Sequence, residues 1–380
     1  MTAQITADWL MSDASQRVCR MLTTEGHEAW FVGGCVRNAL IGAPVADLDL
    51  STSARPDETL ALAERAGLKA IPTGIDHGTV TVLADGIPYE VTTFRKDVAT
   101  DGRRAVVAFA KTMTEDARRR DFTMNALYAD QDGVVADPLG GLPDLEARQV
   151  RFIEDPDQRI KEDYLRILRF FRFHAWYGDA DAGIEPDGLA ACADNVEGIA
   201  TLSRERIGQE MMKLLSAPDP APAVASFAAC GGLAQALPGA DAGFLAPLVH
   251  FEEQLDLEPD PVRRLAIIGG VKSPERLRLS KSQARRMNVF LEYGLPTKTA
   301  YHHGSNVGRG VLAVLSAMTG QPINKEILTA VDRADDQMFP VRADDLKPKY
   351  QNRALGEKLQ ELEDLWCESG FTLTKDDLLG

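Results

Sequence analysis

Two aspartates two residues apart, Asp47 and Asp49 in VADLDLST, are the first residues of this 380-residue chain whose type and spacing suggest chemistry. In an extended strand such a pair projects from one face, while Leu48 and Leu50 occupy the other. Carboxylates held side by side repel unless a cation lies between them, and Mg²⁺, a hard ion that takes oxygen ligands, is the natural candidate. A bare Asp-x-Asp also fits a solvated edge strand, so context has to decide. Upstream, Gly33-Gly34 follows the apolar run Ala29 to Val32 and precedes a helix-like Val36 to Leu40, a setting in which backbone N–H groups can face a phosphate. Arg37, one turn into that helix, is placed to reach the same anion. Neither GxGxxG nor GxxxxGK[ST] occurs here, which argues against dinucleotide and Walker-type sites. A phosphate grip followed by metal-binding carboxylates is what phosphoryl or nucleotidyl transfer requires. Glu90 in IPYEVTTFR alternates with apolar neighbours and is the candidate third carboxylate, although a surface glutamate on an edge strand shows the same pattern.

Two arginine-rich strings extend the set. EDARRRDFTMNALYAD places Arg118, Arg119 and Arg120 before Asp121, the predicted N-cap of the next short helix. In EDYLRILRFFRF, Asp163 and Arg166 are three apart and offer a planar acceptor beside a planar donor fork. Cytosine and adenine each present an amino donor beside a ring-nitrogen acceptor, and guanine and uracil present the reverse. Such a pair would select CTP and ATP without a nucleic-acid template. At about 100° per residue, Arg166, Arg169 and Arg172 form a slanting stripe, with Arg172 inside the apolar arc, where it would need a buried anionic partner.

The elements that must hold these residues change in character along the chain. From Trp30 to Phe152, short β-type and helical runs alternate, the pattern of a mixed α/β domain. GTVTVL and PYEVTTF flank a tight turn at Ala84-Asp85-Gly86, and a second hairpin is expected around Asp132-Gly133. After Arg159 the pattern is helical. The expected fold class is therefore α+β: a mixed head over 1–150, a helical neck over 151–216 and a helical body and tail over 217–380. A net charge of -15 argues against non-specific coating of nucleic acid. The five cysteines show no CxxC pair, so neither structural zinc nor a disulfide framework is expected. His302 and His303 read as a polar turn. The acidic N-terminal stretch and the lack of long apolar runs predict a cytoplasmic protein with no membrane partner.

GGCVRNALIG followed by DLDLST resembles the first motif of class II tRNA nucleotidyltransferases and bacterial poly(A) polymerases, part of the DNA polymerase beta-like superfamily. RRDFTMNAL resembles their second motif, EDYLR their nucleotide-templating motif, and LSRERIGQE a motif in which Arg206 and Glu210 brace the neck. The resemblance implies that Asp47 and Asp49 bind catalytic magnesium, that Gly33, Gly34, Arg37 and Arg120 hold phosphates, and that Asp163 and Arg166 choose the base. Arg169 and Arg172 match further nucleotide-binding positions. Asn38 and Tyr164 depart from the family, which usually has aspartate and alanine or proline there. PTGIDHGTVTVLADGIPYEVTTFRKD is similar to the CCA-adding branch, and Arg95 to Phe109 resembles a flexible loop that helps switch from C to A. The implied activity is addition of CCA to a tRNA acceptor end from CTP and ATP, with no DNA partner; poly(A) synthesis and CC-only or A-only addition are the alternatives.

Overall fold

The computed structural model describes residues 3–101, 104–292, 294–347 and 349–380; the side chains of 97–107 are also outside the description. Strands β1 (Ala29–Val32), β2 (Leu48–Thr52), β3 (Lys69–Gly74), β4 (Thr79–Ala84), β5 (Ile87–Thr93), β6 (Arg95–Asp101), β7 (Arg104–Phe109), β8 (Tyr128–Ala129) and β9 (Val135–Ala136) all precede the long helical part. Seven of them form one sheet in the order β3-β4-β5-β2-β1-β8-β9, and β6 pairs with β7 separately. β2 and β5 run parallel, and the other pairs are antiparallel. Both β2 and β5 are interior strands, so the edge-strand readings of the acid pair and of Glu90 are corrected.

Alternation of β-branched and polar residues sets the two faces of the sheet. Val80, Val82 and Ala84 of β4 are fully buried and pack toward the helices Asp13–Thr23 and Pro56–Arg65. On the opposite face Thr81 pairs with Glu90, and Glu90 with Asp49, so a polar row crosses β4, β5 and β2. The β4–β5 hairpin closes through Asp85 (φ 52°) and Gly86 (φ 81°), the two left-handed positions of a type I′ turn.

The segment expected to be one helix from Glu162 to Phe173 is two. Pro156–Glu162 begins at Asp155, whose side chain accepts from Gln158 N, and Asp163 then turns extended (φ -156°, ψ 104°) before Leu165–Tyr177 starts. Tyr164 occupies the joint, and its ring lies so close to Gly198 that a Cβ there would come within 2.0 Å. The second helix is seated by aromatic packing: Phe122 of the RRDFT string contacts Phe152 at 4.9 Å and Phe173 at 5.0 Å, and Phe152 stacks on Phe170 at 5.2 Å.

The chain divides into two compact units between Thr201 and Leu202, so the helices of the expected neck at 151–216 fall partly in each. In the second unit Ser203 caps the helix Arg204–Leu215 by accepting from Arg206 N, and Glu210 is buried. Its centre holds an ionic triad. Arg263 and Arg264, 3% and 1% exposed, each donate to a different oxygen of buried Glu252, at 2.7 and 2.8 Å. Arg264 also donates to the carbonyls of Leu215, Ala217 and Pro218, closing the end of the Arg204–Leu215 helix. His302 and His303 end the helix Pro296–His303 rather than forming a turn, and His302 pairs with Glu363. No helix among the described residues is long and apolar enough to cross a membrane.

Candidate active site

Leu48 and Leu50 are buried, Asp49 between them is half-buried, and Asp47 lies exposed just before β2. Asp49 and Glu90 occupy paired positions on adjacent parallel strands, which puts them on one face. Burial pushes the Asp49 carboxyl up to about 6, Glu90 and Asp47 add to the rise, and Arg120 opposes it. As the side chains stand, no three acidic, histidine or cysteine side chains close into a ligand set among the described residues. The three carboxylates are neighbours whose mutual repulsion a cation would relieve.

Beside them the turn between β1 and the helix Gly34–Leu40 is made by Gly33 at φ 74°, a conformation L side chains rarely adopt. A Cβ on Gly33 would lie 3.4 Å from Arg120 Nη1, and one on Gly34 would lie 3.8 Å from Arg37 Nη2. The double glycine therefore runs between two guanidinium groups. Arg37 is 5% exposed and largely engaged: Nε and Nη2 donate to Asn38 Oδ1 at 3.1 and 2.9 Å, Nη2 also donates to Tyr177 Oη at 2.8 Å, and Nη1 donates to Asn125 Oδ1. Its guanidinium stacks 3.9 Å from the Tyr177 ring centre. Burial lowers the Arg37 pKa, with Tyr177 and Asp121 working against that effect. Arg37, expected to reach the same anion, here backs the glycine turn with its N–H groups given to Asn38, Asn125 and Tyr177. Asn38 supplies the acceptor that an aspartate would, and its amide also donates to Pro44 O at 2.8 Å.

Arg120 is held along one edge. Nε donates to Tyr128 Oη at 3.2 Å, and Nη2 donates to Ser51 Oγ at 3.1 Å and to Asp116 Oδ2 at 3.0 Å. Asp116, missed in the sequence, is fully buried. Its Oδ2 also accepts from Tyr128 Oη at 2.8 Å, and its Oδ1 accepts from Arg119 Nε at 2.8 Å and from Arg95 N at 3.3 Å. Burial alone would raise the Asp116 carboxyl, but Arg120 and Arg119 outweigh it and hold the group well below the usual carboxylate range. The one signal in the sequence was spacing, since Asp116 precedes Arg119 and Arg120 by three and four residues.

Asp121 is not an N-cap. The short helix Thr123–Asn125 is capped by Phe122 without a side-chain bond, while Asp121 Oδ1 accepts from Phe122 N and from Asn125 Nδ2, both at 2.9 Å. Its Oδ2 takes Nε of Arg169 at 2.8 Å and Nη2 of the same guanidinium. A polar chain thereby runs from Arg169 through Asp121 and Asn125 to Arg37. Arg166 donates to Glu162 Oε2 and to the carbonyls of Arg159 and Arg119, not to Asp163. Arg159 itself grips the carbonyls of Arg119 and Arg120. Asp163 Oδ1 accepts from Leu165 N at 3.1 Å. Because Asp163 lies outside the following helix, the single-helix wheel placing it beside Arg166 is corrected. Arg172 is only half-buried, with its guanidinium 4.4 Å from the Phe173 ring centre, so its expected buried position is corrected too. Of the expected loop Arg95 to Phe109, Gly102 and Arg103 lie outside the described residues; β6 and β7 form an antiparallel pair.

Comparison with known proteins places the chain in a family. Residues 29–151 match the model of the Poly A polymerase head domain, and residues 183–244 that of the probable RNA and SrmB-binding site of polymerase A. The CCA-adding enzyme of Geobacillus thermodenitrificans is 42% identical over 224 residues, which span 58% of this chain but only 54% of that protein. The mitochondrial CCA tRNA nucleotidyltransferase 1 of Danio rerio is 32% identical over 393 residues, covering 97% of this chain and 90% of its own. The solved CCA-adding enzyme of Bacillus stearothermophilus in complex with CTP superposes with a TM-score of 0.69 at 26% identity, over 94% of each chain. With the double glycine, the acid pair and the RRD string in their expected order, this chain belongs to the tRNA nucleotidyltransferase and poly(A) polymerase family, among the relatives of CCA-adding enzymes.

Proposed function

We propose that this protein adds CCA to the 3′ end of tRNA from CTP and ATP, without a template and with release of pyrophosphate. The observation that carries the reading is the meeting of the Asp47, Asp49 and Glu90 carboxylates with a glycine turn flanked by the Arg37 and Arg120 guanidinium groups. Nucleotidyl transfer in this family is metal-dependent. An all-oxygen set of mutually repelling carboxylates fits a hard divalent cation, and Mg²⁺ is the ion proposed, held by Asp47 and Asp49 with Glu90 as the third carboxylate. Bound there, such an ion supplies Lewis-acid stabilisation of phosphoryl oxygens. Gly33 and Gly34 let the triphosphate approach the backbone, and Arg120 faces it with its Nη1 edge. Arg37 contributes its charge from behind the turn. In the reaction the 3′-hydroxyl gives its proton to solvent, its oxygen bonds to the α-phosphorus, and the bond from that phosphorus to the bridging oxygen breaks, with pyrophosphate leaving with the electron pair.

Asp163 and Arg166 are the proposed base selectors, backed by Arg169 and Arg172. This requires Arg166 to exchange Glu162 for the base, since in the structure its fork is turned to Glu162. A cytoplasmic setting belongs to the same proposal, supported by five free thiols, four of them buried, as a reducing compartment maintains. The test is incubation with tRNAs lacking one, two or three terminal nucleotides, Mg²⁺ and single nucleoside triphosphates, with product lengths read on a gel. Two cytidines and then one adenosine are expected. A stop after two cytidines, or addition of adenosine alone, would replace full CCA synthesis, and long adenosine tails would indicate a poly(A) polymerase.

A further inference from the structure

Arg120 spends its five N–H groups unevenly. The Nε and Nη2 side is taken up by Tyr128 Oη, Ser51 Oγ and Asp116 Oδ2, whereas Nη1 has no protein partner among the described residues and points to within 3.4 Å of where a Gly33 Cβ would be. A guanidinium on a flexible stem would ordinarily sample several directions. Here three acceptors fix its plane, Asp116 of the helix Met113–Arg118 and two hydroxyls, Ser51 of β2 and Tyr128 of β8, that Asp116 in turn orients. Its Oδ2 accepts from Ser51 Oγ at 3.3 Å and from Tyr128 Oη at 2.8 Å, which orients both hydroxyls with their lone pairs free for Arg120. The carboxylate is fully buried and lies on neither the carboxylate row nor the glycine turn. Its two oxygens instead reach Arg119, Arg120, Ser51, Tyr128 and the Arg95 backbone, so it acts on the site from behind Arg120.

We infer that Asp116 is a positioning residue that aims Arg120 at the triphosphate, using Ser51 and Tyr128 as intermediaries. The inference rests on the nucleotidyltransferase reading. The same carboxylate takes the backbone N–H of Arg95, the first residue of β6, so the aim of Arg120 and the root of the β6–β7 pair share one anchor.

Calorimetric titration of the full-length protein with CTP, with ATP and with tRNA tests it, using Asp116→Asn and the milder Tyr128→Phe, which keeps the ring. Losing one charge-assisted hydrogen bond corresponds to about tenfold in affinity. Asp116→Asn is expected to weaken CTP and ATP binding by about tenfold or more, and Tyr128→Phe by less, with tRNA affinity unchanged in both. In turnover the loss should appear mainly in KM for the nucleotide. Unchanged nucleotide affinity in a folded Asp116→Asn protein overturns the inference, as does a parallel loss of nucleotide and tRNA affinity. Should Asp116→Asn fail to fold, unchanged CTP affinity in Tyr128→Phe overturns it instead. A wild-type protein that binds CTP but extends no tRNA end would sink the proposed function and leave the role of Asp116 open to the same titration; one that binds no nucleotide sinks both.

Discussion

Two ionic centres of similar composition lie in the two units of this molecule, and they are built to opposite ends. In the second unit Glu252 is clasped by Arg263 and Arg264, and Arg264 spends its other donors on the carbonyls of Leu215, Ala217 and Pro218. In the head, Asp116 holds Arg119 and Arg120, but among the described residues the Nη1 edge of Arg120, beside Gly33, meets no protein acceptor. A guanidinium whose donors are all used inside the protein fastens a turn; one that is fixed along a single edge presents the other to a ligand. The difference lies in where the spare N–H groups point, since both centres bury an acid between two arginines.

The sharpest break in that comparison should come from the carboxylate row of the head. Asp49→Ala is expected to reduce nucleotide addition by on the order of 10³-fold, a loss of several kcal/mol in transition-state stabilisation. Its melting temperature should match or slightly exceed the wild-type value, because a half-buried, repelled carboxylate has gone. A matching collapse in thermal stability would make Asp49 a structural residue and remove the contrast.

Glu252→Ala should do the reverse. Leaving two buried guanidinium groups unpaired costs about 3–5 kcal/mol, measurable by urea unfolding, while CTP affinity of the protein that remains folded stays at the wild-type level. A selective loss of CTP binding would contradict the assignment of this triad to fold maintenance.

The pH dependence of stability separates the centres more gently. Asp116 and Asp121 are held below the ordinary carboxylate value because their arginine partners outweigh the burial that would raise them. Their contribution is therefore present above the unfolded value of about 3.9 and is lost as pH falls through the lower folded values. Urea midpoints taken between pH 6 and pH 3 should decline toward acid, and Asp116→Asn should flatten part of the decline. An identical slope in the variant would mean that Asp116 is not charged in the folded protein.

Asn38→Asp is the smallest expected change. It would place a charge against the Arg37 fork but lose the amide that donates to Pro44 O, so stability should shift by no more than about 1 kcal/mol. A large gain in melting temperature would show that the neutral acceptor leaves Arg37 poorly compensated.

Much of the site was legible from local pattern. The Leu48-Asp49-Leu50 alternation, the double glycine before a helix and the turn at Asp85-Gly86 each depend on a few adjacent residues, and steric rules acting over that range place them, although Asp47 falls just before the strand rather than in it. The reading failed where two segments had to meet. Asp163 falls at a break between helices because Tyr164 seats against Gly198, more than thirty residues on. Arg37 turns inward because Asn125 and Tyr177 approach it from other elements.

Asp116 shows the division most clearly. Its place three and four residues before a pair of arginines was fixed by the order of amino acids, as were the types of group able to bind phosphate and metal. That its carboxylate is buried, that Ser51 and Tyr128 relay it to one edge of Arg120, and that the other edge faces Gly33 came only from the tertiary structure. Local propensity acts within a turn or two of chain and supplies Arg119 and Arg120, whereas the remaining donors to the buried charge are those the fold brings to it, Ser51 of β2, Tyr128 of β8 and the Arg95 N–H.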